Sequence, residues 1–394
     1  MISRNLRHLR VFLAVLELRS LTLASARVRV SQPAVTQALA KLEAQAGGPL
    51  FDRTRQGVFA TDRGRVLGAR VARAFARLDP ALAAVSPRLC LTASNSQLST
   101  LIAVVDTENF TLAARALGHA QPTVHRAISQ IETEAGQQLF ERRRNGLVPS
   151  RAALRLAQAA RLALAELAQA EADLAEIDGR EVGQIVVGAL PMARSVLLPQ
   201  AVAEFRLLRP QQPILVVEGL YDDLLAGLRC GDVDLILGAL RDPAPIGDVV
   251  QTALFNDKLA MLARPGHPLV GAGTLTAQEL VGQNWVVPRQ GTPSRAQFDA
   301  FFAALPGGGP QSVIEAGSIL FMRELLARGD FLGCISEAQA VAEISHGSLQ
   351  RLDVAGHWSN RPIGLTLRAD WVPTQAQHLM LDKIVDVAKL LHAQ

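Results

Sequence analysis

The sequence predicts a multidomain chain: two small all-α modules, each running into a long helix, ahead of an α/β domain of two lobes. Three observations predict it. The first is an internal repeat, in which residues 6–57 return about 89 positions later over 95–146. Leu50-Phe51-Asp52-Arg53 aligns with Leu139-Phe140-Glu141-Arg142, Gln32-Pro33 with Gln121-Pro122, Thr22-Leu23-Ala24 with Thr111-Leu112-Ala113, and Gly47 with Gly136. A solenoid needs three or more stacked units, so two copies mean a repeated small module. The second is charge. Residues 1–180 carry 24 Lys and Arg against 15 Asp and Glu, a net +9, whereas 181–394 carry 16 against 21, a net −5. The third is a change of period after Gly183, from helical stripes to short apolar runs alternating with helices.

Length and composition bound the answer. At 394 residues the chain is long for one domain, and 49% hydrophobic with 19% charged residues is enough to build packed cores. Cys90, Cys230 and Cys334 are odd in number and far apart, which fits buried thiols in a reducing compartment and neither a metal site nor a disulfide framework. Arg4, Arg7 and Arg10 precede an apolar run, but Glu17 and Arg19 break it too early for a signal peptide. No stretch is long and uncharged enough to span a membrane. A cytoplasmic protein is expected.

In the first helix of the module, Leu9, Phe12, Leu13 and Leu16 form one apolar stripe, repeated by Leu98, Leu101, Ile102 and Val105. Thr22 and Thr111 are read as N-caps of a short second helix. The third helix opens at Ser31-Gln32-Pro33, with Ser31 as N-cap and Pro33 in the first turn, where its missing N–H costs nothing. Val35, Ala38, Leu39 and Leu42 face inward, as do Val124, Ala127, Ile128 and Ile131 in the second copy. The opposite face carries Gln32, Thr36, Gln37 and Lys41, and in the second copy Gln121, His125, Arg126 and Gln130. Long donors and acceptors without acids suit base edges in a major groove. A turn at Gln56-Gly57 between two short apolar runs predicts a two-stranded wing. Arg53 and Arg55, and Arg142, Arg143 and Arg144, sit on the two wings within reach of phosphates or the minor groove. Three small helices with a basic wing make a winged helix-turn-helix.

Residues 6–64 resemble the N-terminal domain of LysR-type transcriptional regulators. The resemblance runs through Phe12-Leu13-Ala14-Val15, Ser20-Leu21-Thr22, Ser31-Gln32-Pro33-Ala34-Val35, Lys41-Leu42-Glu43, Leu50-Phe51-Asp52-Arg53 and Thr61-Asp62-Arg63-Gly64. The second copy departs from it: Ala120 replaces the capping Ser, and Ser150-Arg151-Ala152-Ala153 the Thr-x-x-Gly. One such module per chain is the family's habit, so a tandem is unusual. The resemblance places base contacts on Gln32, Pro33, Thr36 and Gln37 with Arg53 on the wing, and on Gln121, Pro122, His125, Arg126 and Arg142 in the second copy. The full set of DNA-binding candidates is these residues with Ser31, Lys41, Arg55, Arg143 and Arg144.

Each module runs into a long helix with a heptad seam, Leu67, Val71, Ala74, Leu78 and Leu82 in one and Leu156, Ala160, Ala163, Leu167, Ala170, Leu174 and Ile177 in the other. The family pairs such linker helices between two subunits. Here one chain owns both, and we expect helix 62–85 to pair with helix 151–178 of the same chain; the alternative is ordinary pairing between chains, leaving four modules per dimer. Residues 86–96 then span the return, reaching about 35 Å if extended. The boundaries read as 1–61 and 94–149 for the modules, 62–87 and 150–180 for the linkers, and 183–394 for the last domain.

In that last domain, strands near 184–189, 213–218, 233–238, 284–288, 312–316 and 331–335 alternate with helices near 195–208, 221–230, 293–304, 318–328 and 374–392. That pattern predicts a parallel sheet with crossover helices. Arg229-Cys230-Gly231-Asp232-Val233-Asp234-Leu235 and Arg264-Pro265-Gly266-His267-Pro268-Leu269 are similar to the family's co-inducer domain, a two-lobed fold shared with periplasmic binding proteins. The lobes read as 183–262 with 349–394, and 263–348. Ligands in open α/β sheets sit beyond the carboxyl ends of strands, at helix N-termini. That selects Met192, Ala193, Arg194 and Ser195, and Gln290, Thr292, Ser294, Ser318 and Ser336, with Arg194 as a carboxylate partner.

The expected function is a DNA-binding transcriptional regulator of the LysR type that responds to a small organic-acid co-inducer. Its partners are a duplex operator, the co-inducer, RNA polymerase, and further copies of the chain in a dimer or tetramer. Two alternatives remain: a degenerate, purely structural second copy, and a C-terminal half that serves assembly without a ligand. An exported solute-binding protein would leave the first half unexplained. An enzyme would need more than the scattered Asp232, Asp234, His267 and His357. No nucleophile–base spacing, glycine-rich cofactor loop or metal motif is present, so neither catalysis nor a cofactor is expected.

Overall fold

In a computed structural model, residues 5–144, 146–245, 247–356, 358 and 360–392 are described; Arg4 and His357, both named above, lie outside them. The chain divides into two compact units, residues 1–184 with 230–232, and residues 185–229 with 233–394.

The first unit opens with α1 (Leu6–Leu18), α2 (Leu21–Val28), α3 (Gln32–Ala46) and the hairpin β1 (Phe51–Thr54)–β2 (Gly57–Ala60). The helix α4 (Asp62–Val85) and a short α5 (Leu89–Thr92) follow. Then come α6 (Asn95–Thr107), α7 (Phe110–Leu117), α8 (Gln121–Ala135), the hairpin β3 (Phe140–Arg143)–β4 (Gly146–Pro149) and α9 (Arg151–Ile177). Ser31 caps α3 as expected, accepting from the Ala34 N–H at 3.4 Å. The second helices begin earlier than predicted. Their caps are Ser20, bonded to the Leu23 N–H, and Asn109, bonded to the Thr111 and Leu112 N–H groups; Thr22 and Thr111 lie inside the first turns.

The same local bonds recur in both segments. Glu43 accepts from the Leu50 N–H at 3.0 Å, and Glu132 from the Leu139 N–H at 2.8 Å. The wing is tied to the end of the first helix by Val58 N–H to Arg19 C=O in one and Leu147 N–H to Glu108 C=O in the other. Gly64 is a position of real constraint, because a Cβ there would sit 2.1 Å from the Leu50 carbonyl oxygen. The second segment has Ala153 at that position, fully buried.

The two long helices pack antiparallel within one chain. Leu67, Val71, Ala74, Leu78 and Leu82 of α4, and Leu156, Ala160, Ala163, Leu167, Ala170 and Leu174 of α9, are all buried in one continuous core with both small-helix segments. Ile177 is 46% exposed, so the buried seam ends at Leu174, sooner than read. Across the seam lies a charged cluster. Arg70, 2% exposed, donates to Asp173 at 2.7 Å, Gln169 at 2.6 Å and Glu166 at 3.2 Å. Arg73 and Arg77 reach the same Glu166 at 3.1 and 3.7 Å, and Arg63 reaches Asp178 at 2.5 Å. Burial pushes the Asp173 carboxyl above its ordinary value, against the pull of Arg70 and Arg73. The return connection is not extended; it holds α5, whose Leu89 is buried in the same core.

The second unit has two sheets. The first comprises β5 (Ile185–Ala189), β6 (Ile214–Glu218), β7 (Leu235–Ala239), β8 (Val249–Asp257) and, returning late, Arg361–Arg368; the helices α10 (Leu197–Leu208) and α11 (Tyr221–Cys230) connect its first strands. The second comprises β9 (Leu259–Ala263), β10 (Asn284–Val287), β11 (Ser312–Glu315), β12 (Phe331–Ser336) and β13 (Gln350–Arg351), with helices α12 (Ala277–Leu280), α13 (Pro293–Phe302), α14 (Ile319–Leu326) and α15 (Glu337–Ser345). The strand Arg361–Arg368 is β14, and α16 (Gln375–His392) ends the chain's described elements. Strand orders are β6-β5-β7-β14-β8 and β11-β10-β12-β9-β13.

These sheets correct two expectations. They are mixed, because β14 runs antiparallel to β7 and β8, and β9 antiparallel to β12 and β13. Among the described residues β8 follows β7, β9 follows β8 and β14 follows β13 with no intervening helix, so the alternation that signalled parallel strands could not find them. The lobe boundary also moves. β9 and β13 belong to the second sheet, so the chain changes lobe between β8 and β9 and again between β13 and β14, not at 262/263 and 348/349. Cys334 alone of the three cysteines is fully buried, and its thiol is pushed up to about 12.

The Arg70 cluster yields a test. Arg70→Ala leaves buried carboxylates underpaired and should cost residues 1–184 about 3 kcal/mol in urea unfolding, whereas Arg70→Met with Glu166→Leu and Asp173→Leu should recover most of it.

Candidate nucleic-acid interface and ligand cleft

The inward stripes of α3 and α8 fix what points outward. Val35, Ala38, Leu39 and Leu42 are buried, as are Val124, Ile128 and Ile131, with Ala127 half-buried. Ser31, Gln32, Pro33, Gln37 and Lys41 are consequently exposed, and Thr36 half-exposed. Gln121, Pro122, His125 and Arg126 are exposed on the other segment. Gln32, Pro33, Thr36, Gln37 and Ala40 line one open depression. The Thr36 hydroxyl donates to the Gln32 carbonyl at 3.2 Å. His125 packs on Phe110, ring centroids 5.2 Å apart, with Nδ1 3.3 Å from the Ser129 hydroxyl. The acids of these helices are withdrawn: Glu43 and Glu132 each hold a backbone N–H at the base of the wing, and Glu134 bonds Thr92. That leaves each outer face with donors, neutral acceptors and cations.

On the wings, Arg53, Arg55, Arg142, Arg143 and Arg144 are all exposed. Arg143 pairs with Glu141 at 3.0 Å; Arg53, Arg55, Arg142 and Arg144 make no ion pair among the described residues. An unpaired exposed guanidinium is available to a phosphate at no cost in broken bonds.

In the second unit, β10, β11 and β12 run parallel, so Gln290, Thr292, Ser294, Ser318 and Ser336 all follow the carboxyl edge of one sheet. Most of their polar groups are already used. Thr292 caps α13, Ser318 caps α14 and Ser336, 1% exposed, caps α15. The Gln290 N–H donates to Glu315. Met192 and Ala193 are buried in the turn after β5, Ser195 is half-buried, and Arg194 is paired with Glu218.

Sequence reasoning missed the group that joins the two sheets. Arg361, at the start of β14, donates to Asp257 at the end of β8 and to Ser294 on α13, and Asp257 accepts from the Ala338 N–H at 3.2 Å. Arg361 is 5% exposed, and its Nε has no partner among the described residues. At the carboxyl edge of the first sheet, Arg241 stacks 4.2 Å over the Tyr221 ring, and Gln251 bonds the Tyr221 hydroxyl at 3.3 Å. Burial raises the Tyr221 hydroxyl's pKa and lowers that of Arg241. Asp257, Gln251 and Arg361 lie in strands that the alternation rule overlooked; Arg241 follows the strand read at 233–238 but opens no helix, so selecting helix N-termini passed it by.

Three helices with a hairpin on a basic, acid-withdrawn face define a DNA-binding module, and a two-sheet α/β unit a ligand-binding one. The model of the LysR substrate binding domain matches residues 178–389, and that of the bacterial regulatory helix-turn-helix protein, lysR family, matches 6–65 and 96–154. HTH-type transcriptional regulator GalR of Pseudomonas putida is 37% identical over 380 residues, 94% of each chain. HTH-type transcriptional regulator PcaQ of Agrobacterium fabrum is 28% identical over 291 residues, 74% of this chain and 94% of that one. Among solved structures, CbnR, a LysR family transcriptional regulator, has a TM-score of 0.52 at 20% identity, covering 75% of this chain and 99% of its own. Full-length LysG of Corynebacterium glutamicum with bound effector Arg gives 0.52 at 20%, covering 75% and 98%. The chain belongs to the LysR family of DNA-binding transcriptional regulators.

Alanine at Thr36 and Gln37 together with His125 and Arg126 should lower operator affinity by at least about tenfold in fluorescence anisotropy. Replacing Arg142, Arg143 and Arg144 by alanine should instead weaken all duplexes and flatten the salt dependence, by about 0.9 in log–log slope for every phosphate these side chains no longer neutralise.

Proposed function

We propose that both helix-turn-helix segments are copies of one module, that both read DNA, and that the α4–α9 pair holds them as one reading head. The observation that carries this is the antiparallel seam buried between two helices of the same chain. Each outer face is free of acids because Glu43 and Glu132 are bonded to the wing.

The second unit then binds the co-inducer, an organic acid. Arg361, buried with a free Nε, and Arg241, near enough to feel its charge, supply the cations for a carboxylate. Met192, Ala193, Arg194, Ser195, Gln290, Thr292, Ser294, Ser318 and Ser336 remain the proposed cleft walls, the capping hydroxyls acting through the helix N-termini they organise. A carboxylate that binds two arrangements of the protein unequally shifts their balance and hence operator occupancy. The partners are a duplex operator, RNA polymerase and further copies of the chain, as a dimer or tetramer, in the cytoplasm.

The test is a footprint of the full chain on its operator, with and without a panel of mono- and dicarboxylic acids. A protected length spanning two half-sites per chain, altered by at least one acid but not by its neutral amide, is expected. Arg241→Ala should raise the acid concentration needed by about tenfold or more while leaving ligand-free operator affinity intact. A footprint indifferent to every acid contradicts the ligand reading.

A further inference from the structure

We propose that the site read by one chain is non-palindromic: one chain reads two unlike half-sites in a fixed order. The inference rests on the reading that both segments contact DNA, and two independent observations carry it.

The first is that the linker pair is heterotypic by charge. The cations Arg63, Arg70, Arg73 and Arg77 all lie on α4, and their partners Glu166, Gln169, Asp173 and Asp178 lie on α9 or at its end. The repeat makes the alternative explicit. The residue of α4 equivalent to Glu166 is Arg77, 89 positions earlier, and the equivalents of Asp173 and Asp178 are Ala84 and Leu89. Two α4 helices paired in this register would bring Arg70, Arg73 and Arg77 against a second Arg77 and offer them no anion. Two α9 helices would set Glu166 against Glu166, with Ala159 and Leu162 where Arg70 and Arg73 now stand. Buried like charges are costly, so α4 selects α9 and rejects itself. Every head therefore contains one copy of each module. A head built from two identical modules has a two-fold axis and a palindromic site; this head has none.

The second observation is that the two reading faces differ in base chemistry. Their tips agree, Gln32 and Pro33 matching Gln121 and Pro122. Beyond the tips four outward positions differ: Thr36, Gln37, Ala40 and Lys41 against His125, Arg126, Ser129 and Gln130. Gln37 offers the paired donor and acceptor that match adenine N7 and N6, whereas Arg126 offers the fork that matches guanine O6 and N7. Thr36 has committed its hydroxyl hydrogen to the Gln32 carbonyl, leaving an acceptor and a methyl group that suits thymine, while His125 retains a ring nitrogen. Two half-sites with a shared outer step and different inner bases follow.

The experiment uses the full chain. Duplexes are selected from a library randomised over about three helical turns, and the best site is compared by fluorescence anisotropy with two palindromes, one built from each of its halves. The expected result is a site whose halves differ, with both palindromes at least about tenfold weaker, as one or two misread base pairs would give. A palindrome that binds as tightly as the selected site overturns the inference while leaving DNA reading intact. No enrichment of any sequence overturns the reading beneath it. A variant carrying His125→Thr, Arg126→Gln, Ser129→Ala and Gln130→Lys puts the α3 face on α8, at positions already exposed or half-exposed. It should switch preference to the palindrome of the α3 half-site; an unchanged preference for the unlike site overturns the proposal.

Discussion

The antiparallel contact between α4 and α9 is what the first unit depends on. It joins two three-helix segments, each too small to bury much on its own, into one core that runs from Leu6 to Leu174. The apolar seam supplies the drive. The Arg70–Glu166–Asp173 group supplies direction, because a buried ion cluster contributes little net stability but punishes any pairing that leaves its members unmatched. The chain thus carries within itself an interface that the family's habit assigns to two subunits.

Much of this was legible in the sequence, for definite reasons. The repeat doubled every weak signal: the Gln-Pro opening, the Val35–Leu42 stripe and Gly47 each had a counterpart, and the helices α3 and α8 open where the Gln-Pro signals put them. The heptad seams were readable because small and large apolar residues alternate at three and four. The partners of Arg70 were not, since spacing along one helix says nothing about which residue of another helix it meets. The capping misreading at Thr22 has a similar origin: Ser20 and Thr22 are both good caps, and only the extended backbone at Ser20 decides between them.

The second unit was legible only where strands alternate with helices. β8, β9 and β14 follow one another or return from far along the chain without a crossover helix, so neither their strands nor the lobe boundary they set could be read. The Asp257–Arg361 pair sits where the chain changes sheet, and it ties α13 and α15 to that point through Ser294 and Ala338. The hydroxyls singled out for a ligand are largely helix caps in the structure. Of the cations proposed to meet a ligand, Arg361 lies in a strand with no helix before it, and Arg241 follows a legible strand but opens no helix.

On the proposed function, a single chain carries two unlike reading modules, and reading two half-sites no longer waits on the meeting of two subunits. The direct measurement is the mass of the complex between residues 1–184 and a duplex containing both half-sites, by native mass spectrometry or sedimentation. One polypeptide per duplex, with the free fragment monomeric at micromolar concentration, is the result this account requires. Two polypeptides per duplex, with the free fragment already dimeric, would contradict it.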